Sequence, residues 1–527
     1  MTSIGRFSLK SQTPSNLSNI TLFLALSGSG KGTDATPSHG RIDKDEGGMT
    51  VPEFESAWLE RGMPSRHPRF HSRVSRADDR YFELEAVDGD PKAEMHRHAF
   101  ETLHTYSYRD DLRGRIERLL TEPMDVTNRL WEVYISSGRL GSSGAISRLK
   151  VDNIQRDQRE ASGDGNKDTE SVLLFKAHHC LGDGVSLAAA ISDLSDEAEE
   201  LRGLVTAEIV SRRRKGKDVT LLQKLAIYLK KVIWFCFGSI RALLYQGYLL
   251  WTTPRNPFEE VISSGDSKRI LGRSISWCDA APLEEVKTVA HAMGPKVTLN
   301  DIFVSCVTHA VARQLAEHRA RTCTKDEQLG FRKLSKLNSQ NNINVVVPVH
   351  LNGGVILPGS SIGNRLGAML VRCPGEMNSD NDSSRNGLSA VTASERLRRV
   401  HDSLAAVKQT PAPLISWIIA KVCSDYAPEN ITKWIFRNAN ANAAVVVSNA
   451  RGSPTKTHIN GRTVESSAGF LPLPPGIPVG VVVMSYAGTV SLSVTAERWA
   501  VPDGDQFMMW ILEEYRRLCA EASVGKS

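Results

Sequence analysis
The sequence predicts an α/β (α+β) fold built as two sheet-containing domains. Three observations carry that expectation. The chain has 527 residues, enough for about three ordinary domains or two large ones. Apolar residues make up 41% and charged residues 24%, which excludes wholly disordered, collagenous and disulfide-stapled chains. Runs of β-formers alternate with amphipathic helix patterns on both sides of a polar, basic stretch near residue 210.

The elements follow in order. Residues 20–27 read as a strand and 52–61 as a helix; 69–74 and 81–86 read as strands with turn-forming residues between them. Over 111–120, Leu112, Ile116, Leu119 and Leu120 recur at helical spacing. Residues 130–136 (LWEVYIS) and 172–177 (VLLFKA) are strand-like, and 141–170 between them reads as a long solvated loop. A helix follows over 185–194, and the polar, basic 202–217 reads as a connector. In the second half, 283–293 and 299–317 read as helices, 344–349 and 368–373 as strands, and 375–387 as a low-complexity surface loop. Residues 443–448, 479–486 and 489–494 read as strands, the last two joined by a hairpin turn at Tyr486-Ala487-Gly488-Thr489, and 505–520 as a closing helix. The expected organisation is a disordered N-terminus (1–19), a first domain (20–200), a basic linker with an apolar helix (201–255) and a second, similar domain (256–527).

Lys and Arg number 65 against 59 Asp and Glu, a net charge of +6, too mild and too spread to demand nucleic acid. An anionic cosubstrate or an anionic membrane surface remains compatible. The eight cysteines (180, 236, 278, 306, 323, 373, 423 and 519) include no C-x-x-C pair, so neither a zinc site nor a redox pair is expected, and a reducing, cytosol-facing compartment is. The apolar run 20–26 is only seven residues long and has no small-x-small site directly behind it. It reads as a buried first strand rather than a secretory signal.

Mean hydropathy of −0.26 excludes a polytopic membrane protein. Residues 232–251 (VIWFCFGSIRALLYQGYLLW) nevertheless form an apolar stretch of helical length with one charge, Arg241. Lys224, Lys230 and Lys231 precede it, behind Arg212, Arg213, Arg214, Lys215 and Lys217. Three readings stand: a helix packed on its own domain, an interfacial segment lying on a membrane, and a span. The span is the least favoured, because Arg near a bilayer centre costs about 2.5–3.5 kcal/mol.

Ser27-Gly28-Ser29-Gly30-Lys31-Gly32-Thr33 imitates a phosphate-binding loop. Ala25 stands where the first glycine belongs, Gly32 stands where Ser or Thr should follow the lysine, and Pro37 with three glycines forbids the required helix over 34–48. It reads as a loop after a strand.

The segment that carries chemistry is 174–187 (LFKAHHCLGDGVSL). A strand ends at Ala177, a tight loop holds His178, His179, Asp183 and Gly184, and a helix follows. Gly182 and Gly184 would supply backbone angles closed to other residues. An imidazole with an ordinary pKa near 6.5 is the natural general base at neutral pH and contributes about 10²–10⁴-fold. Asp183 would bond locally or pair with a distant Arg to shape the loop. Neighbouring residues at a strand end point to opposite faces, which argues against joint metal ligation by the two histidines. No G-x-S-x-G nucleophile elbow occurs, so the base is expected to act on a substrate hydroxyl with no acyl-enzyme.

His178-His179-Cys180-Leu181-Gly182-Asp183-Gly184 matches the H-H-x-x-x-D-G motif of the CoA-dependent acyltransferase superfamily. Within it the chain resembles the wax ester synthase/diacylglycerol acyltransferase family. Leu130-Trp131-Glu132 is similar to that family's P-L-W element, with Arg129 in place of proline. Asn300-Asp301-Ile302 is similar to its N-D-V element. Residues 344–352 (NVVVPVHLN), Gly363-Asn364-Arg365-Leu366-Gly367 and 469–486 (GFLPLPPGIPVGVVVMSY) are similar to its C-terminal half. The similarity runs from about residue 20 to 520 and leaves 28–49, 141–170 and 375–390 as apparent insertions.

The resemblance implies two chloramphenicol-acetyltransferase-like domains with mixed sheets and a channel between them. It implies acyl-CoA as cosubstrate, no permanently bound cofactor and no metal. It implies His179 as general base for a fatty alcohol or diacylglycerol hydroxyl, His178 as support and Asp183 as a structural residue. Asn300 and Asp301 read either as a helix N-cap or as substrate contacts, Trp131 either as core or as support for the site, and Ser448 and Asn449 either as oxyanion donors or as turn residues. Three alternatives stay open: a glycerolipid acyltransferase reading His178 and Asp183 as H-x₄-D, although no E-G-T-R-like element follows; a peptide-forming condensation domain, which shares the motif; and a non-catalytic lipid-binding module on the same fold.

Overall fold
The computed structural model describes residues 19–27, 48–76, 82–87, 89–90, 95, 98–101, 109–140, 169–214, 221–252, 256–259, 271–322, 342–351, 364–375 and 391–524. The expected disordered N-terminus, the glycine-rich loop after Ser27 and nearly all of the expected loops 28–49, 141–170 and 375–390 lie outside these residues.

The first half contains β1 (Asn19–Ser27), α1 (Val51–Glu60), α2 (Met63–Arg66), β2 (Ser72–Arg76), β3 (Phe82–Ala86), β4 (Ala99–Glu101), α3 (Arg109–Thr121), β5 (Trp131–Leu140), β6 (Thr169–His178) and α4 (Gly184–Ser192). Helices α5 (Ala198–Arg214) and α6 (Leu221–Thr252) lead to the second half. That half contains β7 (Arg273–Pro282), α7 (Leu283–Met293), α8 (Leu299–Thr322), β8 (Asn342–His350), β9 (Leu366–Pro374), α9 (Ala393–Lys408), α10 (Ala412–Tyr426) and α11 (Glu429–Asn440). It ends with β10 (Val445–Arg451), β11 (His458–Ile459), β12 (Arg462–Phe470), β13 (Val479–Tyr486), β14 (Thr489–Glu497) and α12 (Gly504–Val524).

Two mixed six-stranded sheets dominate, ordered β11-β12-β1-β6-β5-β4 and β7-β14-β13-β10-β8-β9. The expectation of an α/β fold with two mixed sheets holds. The expected split at residues 200 and 256 needs correction. Strands β11 and β12 belong to the second half of the sequence but pair with the first sheet, with Phe470 opposite Thr21 and Ser467 opposite Leu24. The reason lies in β1, whose residues are buried on both faces. Phe23 and Ala25 join the core of the second half, while Leu24 and Leu26 join a second cluster around Trp58, Trp131 and Phe175. Such a central strand needs a hydrogen-bonding neighbour on each edge; β6 supplies one and β12 the other.

Two local expectations also change. The strand expected at 69–74 begins only at Ser72, because Pro68 opens a 3₁₀ turn over Pro68–His71 that drops Phe70 into the core. The connector expected at 202–217 is helical over Ala198–Arg214. Polarity does not break a helix; Ala, Leu, Glu and Arg favour one, and Glu199 and Glu200 in the first turn suit its positive end. The hairpin turn is as expected: Ala487 and Gly488 both take positive φ (47° and 78°) between β13 and β14.

Helix α6 is seated on the second half by one narrow stripe. Gly238, Ala242, Tyr245 and Leu249 recur at helical spacing. A Cβ at Gly238 would lie 2.7 Å from Pro411, Ala242 and Leu249 are buried, and Gln246 donates to the Leu370 carbonyl at 3.1 Å. Off that stripe, Leu229, Ile233, Phe237, Leu244 and Tyr248 are exposed, and Trp234 Nε1 donates to the Gln409 carbonyl at 2.8 Å. Among the described residues no helix is long and apolar enough to cross a membrane.

Candidate active site
Strand β6 is central in its sheet, so it ends rigidly. His178 opposes Asn19 of β1 and its N–H donates to the Leu130 carbonyl at 2.9 Å. The chain then turns. Leu181 N–H donates back to the His178 carbonyl at 2.9 Å, and the Cys180 N–H donates to His178 Nδ1 at 3.1 Å. That bond uses Nδ1 as an acceptor, so His178 is a neutral imidazole protonated on Nε2, the assignment the geometry demands. Burial, with the charges of His179 and Lys176, lowers its pKa to about 3. His178 is therefore a structural part of the turn.

His179, next along the chain, is half-buried. Burial lowers its pKa, while its own carbonyl, the Asp183 carboxylate and the Asn364 side chain pull it upward. Among the described residues its Nδ1 is buried with no partner at hydrogen-bonding geometry. A neutral imidazole at the end of a rigid strand is the state a general base requires.

Asp183 is fully buried and does two things. Its Oδ1 accepts from the Ser186 N–H at 2.8 Å, capping α4. Its Oδ2 accepts from the main-chain N–H of Arg365 at 2.9 Å, with His350 Nε2 3.9 Å away. The distant Arg of the sequence reading is thus present, but contributes its backbone while its side chain is exposed. Beside it, Asn364 Nδ2 donates to the His179 carbonyl at 2.8 Å. The two residues before β9 therefore clamp both His179 and Asp183, joining the halves at the motif. From the other side Arg69 donates to the Leu181 carbonyl at 3.0 Å.

The glycine expectation is corrected. Neither Gly182 nor Gly184 takes a positive φ, and a Cβ at Gly184 would meet nothing within 4 Å. Gly184 is the exposed first residue of α4; what it leaves is open space beside the loop, not an unusual backbone.

The supporting residues divide. Trp131 is buried core: it stacks on Trp58 at 4.5 Å and on His98 at 4.4 Å, and its Nε1 donates to the Phe70 carbonyl at 2.9 Å. It supports the strand beside β6 and offers no face to a substrate. Asp301 is buried in a capping box, accepting from the Thr298 N–H at 2.9 Å, and is held further by His401 at 3.0 Å and Lys408 at 2.9 Å. Burial pushes its carboxyl up, but these partners outweigh it and the net pKa is lowered. Asn300, next to it, accepts from Asn449 Nδ2 at 2.8 Å. Two residues flagged from distant parts of the sequence thus meet, on the strand β10 that α4 lies against. Ser448 is half-buried there. Among the described residues no three His, Cys, Asp or Glu side chains converge on a metal-sized site.

Sequence reasoning did not single out Arg69, His350, His401 or Lys408, and quoted Asn364 and Arg365 only as part of a resemblance. Their roles are contacts across 100 or more residues of sequence, which no local spacing encodes.

Two mixed sheets joined at an H-H-x-x-x-D-G turn define a chloramphenicol-acetyltransferase-like fold of the CoA-dependent acyltransferase kind. The comparisons narrow this. Residues 362–518 match the WS/DGAT C-terminal domain. Wax ester synthase/diacylglycerol acyltransferase 10 of Arabidopsis thaliana is 23% identical over 265 residues, 48% of this chain and 47% of that one. A probable diacylglycerol O-acyltransferase of Mycobacterium tuberculosis is 22% identical over 446 residues, 82% of this chain and 80% of that one. The first of these matches spans about half the relative's length. Among solved structures, the wax ester synthase/diacylglycerol acyltransferase from Marinobacter aquaeolei VT8 has the same fold, with a TM-score of 0.52 at 14% identity over 99% of this chain and 98% of that one. The family that the sequence motifs resemble is thus the one to whose C-terminal domain, curated relatives and solved fold this chain is similar.

Proposed function
We propose that this chain is an O-acyltransferase that moves a long-chain acyl group from acyl-CoA to a fatty alcohol, a diacylglycerol, or both. The observation that carries the reading is the placement of His179: half-buried, kept neutral, and clamped through its own carbonyl and Asp183 by Asn364 and Arg365. The nature of the relatives supports the substrate class.

In the reaction, His179 takes the proton of the acceptor hydroxyl as its oxygen attacks the thioester carbonyl. The tetrahedral oxyanion collapses, the C–S bond breaks, and the CoA sulfur leaves with the proton returned by the imidazolium. Ester and free CoA are the products, with no covalent enzyme intermediate and no permanently bound cofactor. Ser448, on the strand facing α4, is the nearest of the flagged residues to an oxyanion donor; one such donor is worth about 3 kcal/mol. Asn449 is already engaged with Asn300 and serves better to fix that strand. The exposed face of α6 rests on the cytosol-facing surface of a membrane, where both lipid substrates dissolve.

The test is an acceptor panel. Purified protein is given a long-chain acyl-CoA with hexadecanol, diacylglycerol or glycerol-3-phosphate, and thiol release is followed. Release with the neutral acceptors is expected; activity with glycerol-3-phosphate alone would contradict the reading and favour the H-x₄-D frame.

A further inference from the structure
Helix α6 does not stand alone. It packs against α10, and α10 packs against α11. Both of these helices also turn apolar side chains outward: Ile418, Ile419, Val422 and Tyr426 on α10, Ile431 and Trp434 on α11. Exposure reaches 71% at Phe237, 81% at Tyr426 and 67% at Trp434. Single exposed hydrophobes are ordinary, but three neighbouring helices that all present them form a contiguous patch, which marks an interaction surface.

Charge identifies the partner. The three helices carry seven Lys and Arg (Lys224, Lys230, Lys231, Arg241, Lys421, Lys433, Arg437) and two acids. Both acids are already paired, Asp425 with Lys421 at 3.0 Å and Glu429 with Lys433 at 2.7 Å. Exposed Trp234, Trp434, Tyr228, Tyr248 and Tyr426 are interleaved with these cations. Aromatic rings and basic residues around an aliphatic face are the composition of a surface that enters the headgroup layer of an anionic bilayer. A second copy of the chain would bring the same positive charge against itself.

We propose that α6, α10 and α11 together form one lipid-docking surface for an anionic membrane, extending the contact assigned above to α6 alone. The surface is tied to the reaction centre. A Cβ at Gly367 would lie 1.8 Å from the Pro413 carbonyl oxygen, and Ala368 N–H donates to Ser416 Oγ at 2.7 Å. The start of α10 is therefore pressed against β9 two residues beyond the Asn364–Arg365 clamp. Lipid seated on α10 lies on the helix that backs the clamp.

The inference rests on the α6 contact and is separable from it and from the acyl-transfer reading, because flotation is read without turnover. Full-length protein is floated with vesicles of phosphatidylcholine containing about 30% phosphatidylserine. The α10/α11 variant Ile419→Ser, Val422→Ser, Trp434→Ser is compared with the α6 variant Phe237→Ser, Leu244→Ser. All five positions are exposed, so circular dichroism and thermal midpoint serve as fold controls. Wild type is expected to float, and each variant to partition about tenfold less. An α10/α11 variant that floats like wild type while the α6 variant does not would overturn this inference and keep the α6 contact. A wild type that does not float, but sediments as a dimer that the α10/α11 variant dissolves, would overturn both in favour of self-association.

Discussion
At the scale of single residues, the site depends on what each side chain can still do once its bonds are counted. His178 has spent Nδ1 on the turn, whereas His179 is held by its main chain and keeps its ring for chemistry. Asp183 has spent both oxygens on main-chain N–H groups 179 residues apart in the sequence, Ser186 and Arg365. Truncating Asp183 to Ala leaves both buried donors unpaired, which should cost about 3 kcal/mol of stability. The catalytic rate should also fall, because the clamp on the histidine loop is broken. Urea unfolding alongside turnover checks this; an unaltered midpoint would show that Arg365 and Ser186 find other acceptors. Trp131 shows the opposite lesson: its prominence in the sequence reflects a core position.

At the scale of elements, periodicity was a good guide and polarity a poor one. The two-face burial of β1 and the spacing of Leu112, Ile116, Leu119 and Leu120 in α3 were legible in the sequence. The basic stretch of α5 looks like a connector by composition alone, although its residues are helix formers. Helix α9 carries an ordinary signature: a Thr392 cap, then buried Leu397, Val400, Leu404 and Val407. For 232–251 the structure shows packing that no property of the segment alone dictates. The helix both packs and exposes an apolar face, and the packing stripe depends on Gly238 meeting Pro411. A Gly238→Leu substitution should lift α6 off α10 and lower the thermal midpoint by several degrees, at about 1–3 kcal/mol of overpacking. A midpoint equal to wild type would mean that α6 is not seated there.

At the scale of the whole molecule, the two halves are not separable units. Strand β12 completes the first sheet, Arg113 bridges to Asp505 at 2.5 Å, Arg498 reaches Glu117 at 2.9 Å, and the clamp crosses at the motif. No sequence pattern announces these connections, because each joins residues more than 180 positions apart. The mixed sheets themselves were legible, since strand and helix signals alternate in both halves. The fold as a whole also sets a pH limit. Burial holds the His178 and His309 pKa values at about 3 and that of His98 at about 4, below the ordinary 6.5. The unfolded chain therefore binds more protons than the native one between these values, so stability is fully present above about pH 6.5 and declines as pH falls toward 4. The lowered carboxyl of Asp301 adds to the loss at still lower pH. The urea midpoint should drop steadily from pH 7 to pH 4.5; a flat midpoint over that range would contradict the burial of these imidazoles as neutral groups.

The most direct test of the account is thiol release from a long-chain acyl-CoA in the presence of its best neutral acceptor, measured for wild type, His179→Ala and His178→Ala under saturating substrate. The account predicts that His179→Ala, folded to the wild-type thermal midpoint, loses about 10²–10⁴-fold in turnover, and that His178→Ala loses stability as well as rate. Full activity in His179→Ala would contradict it.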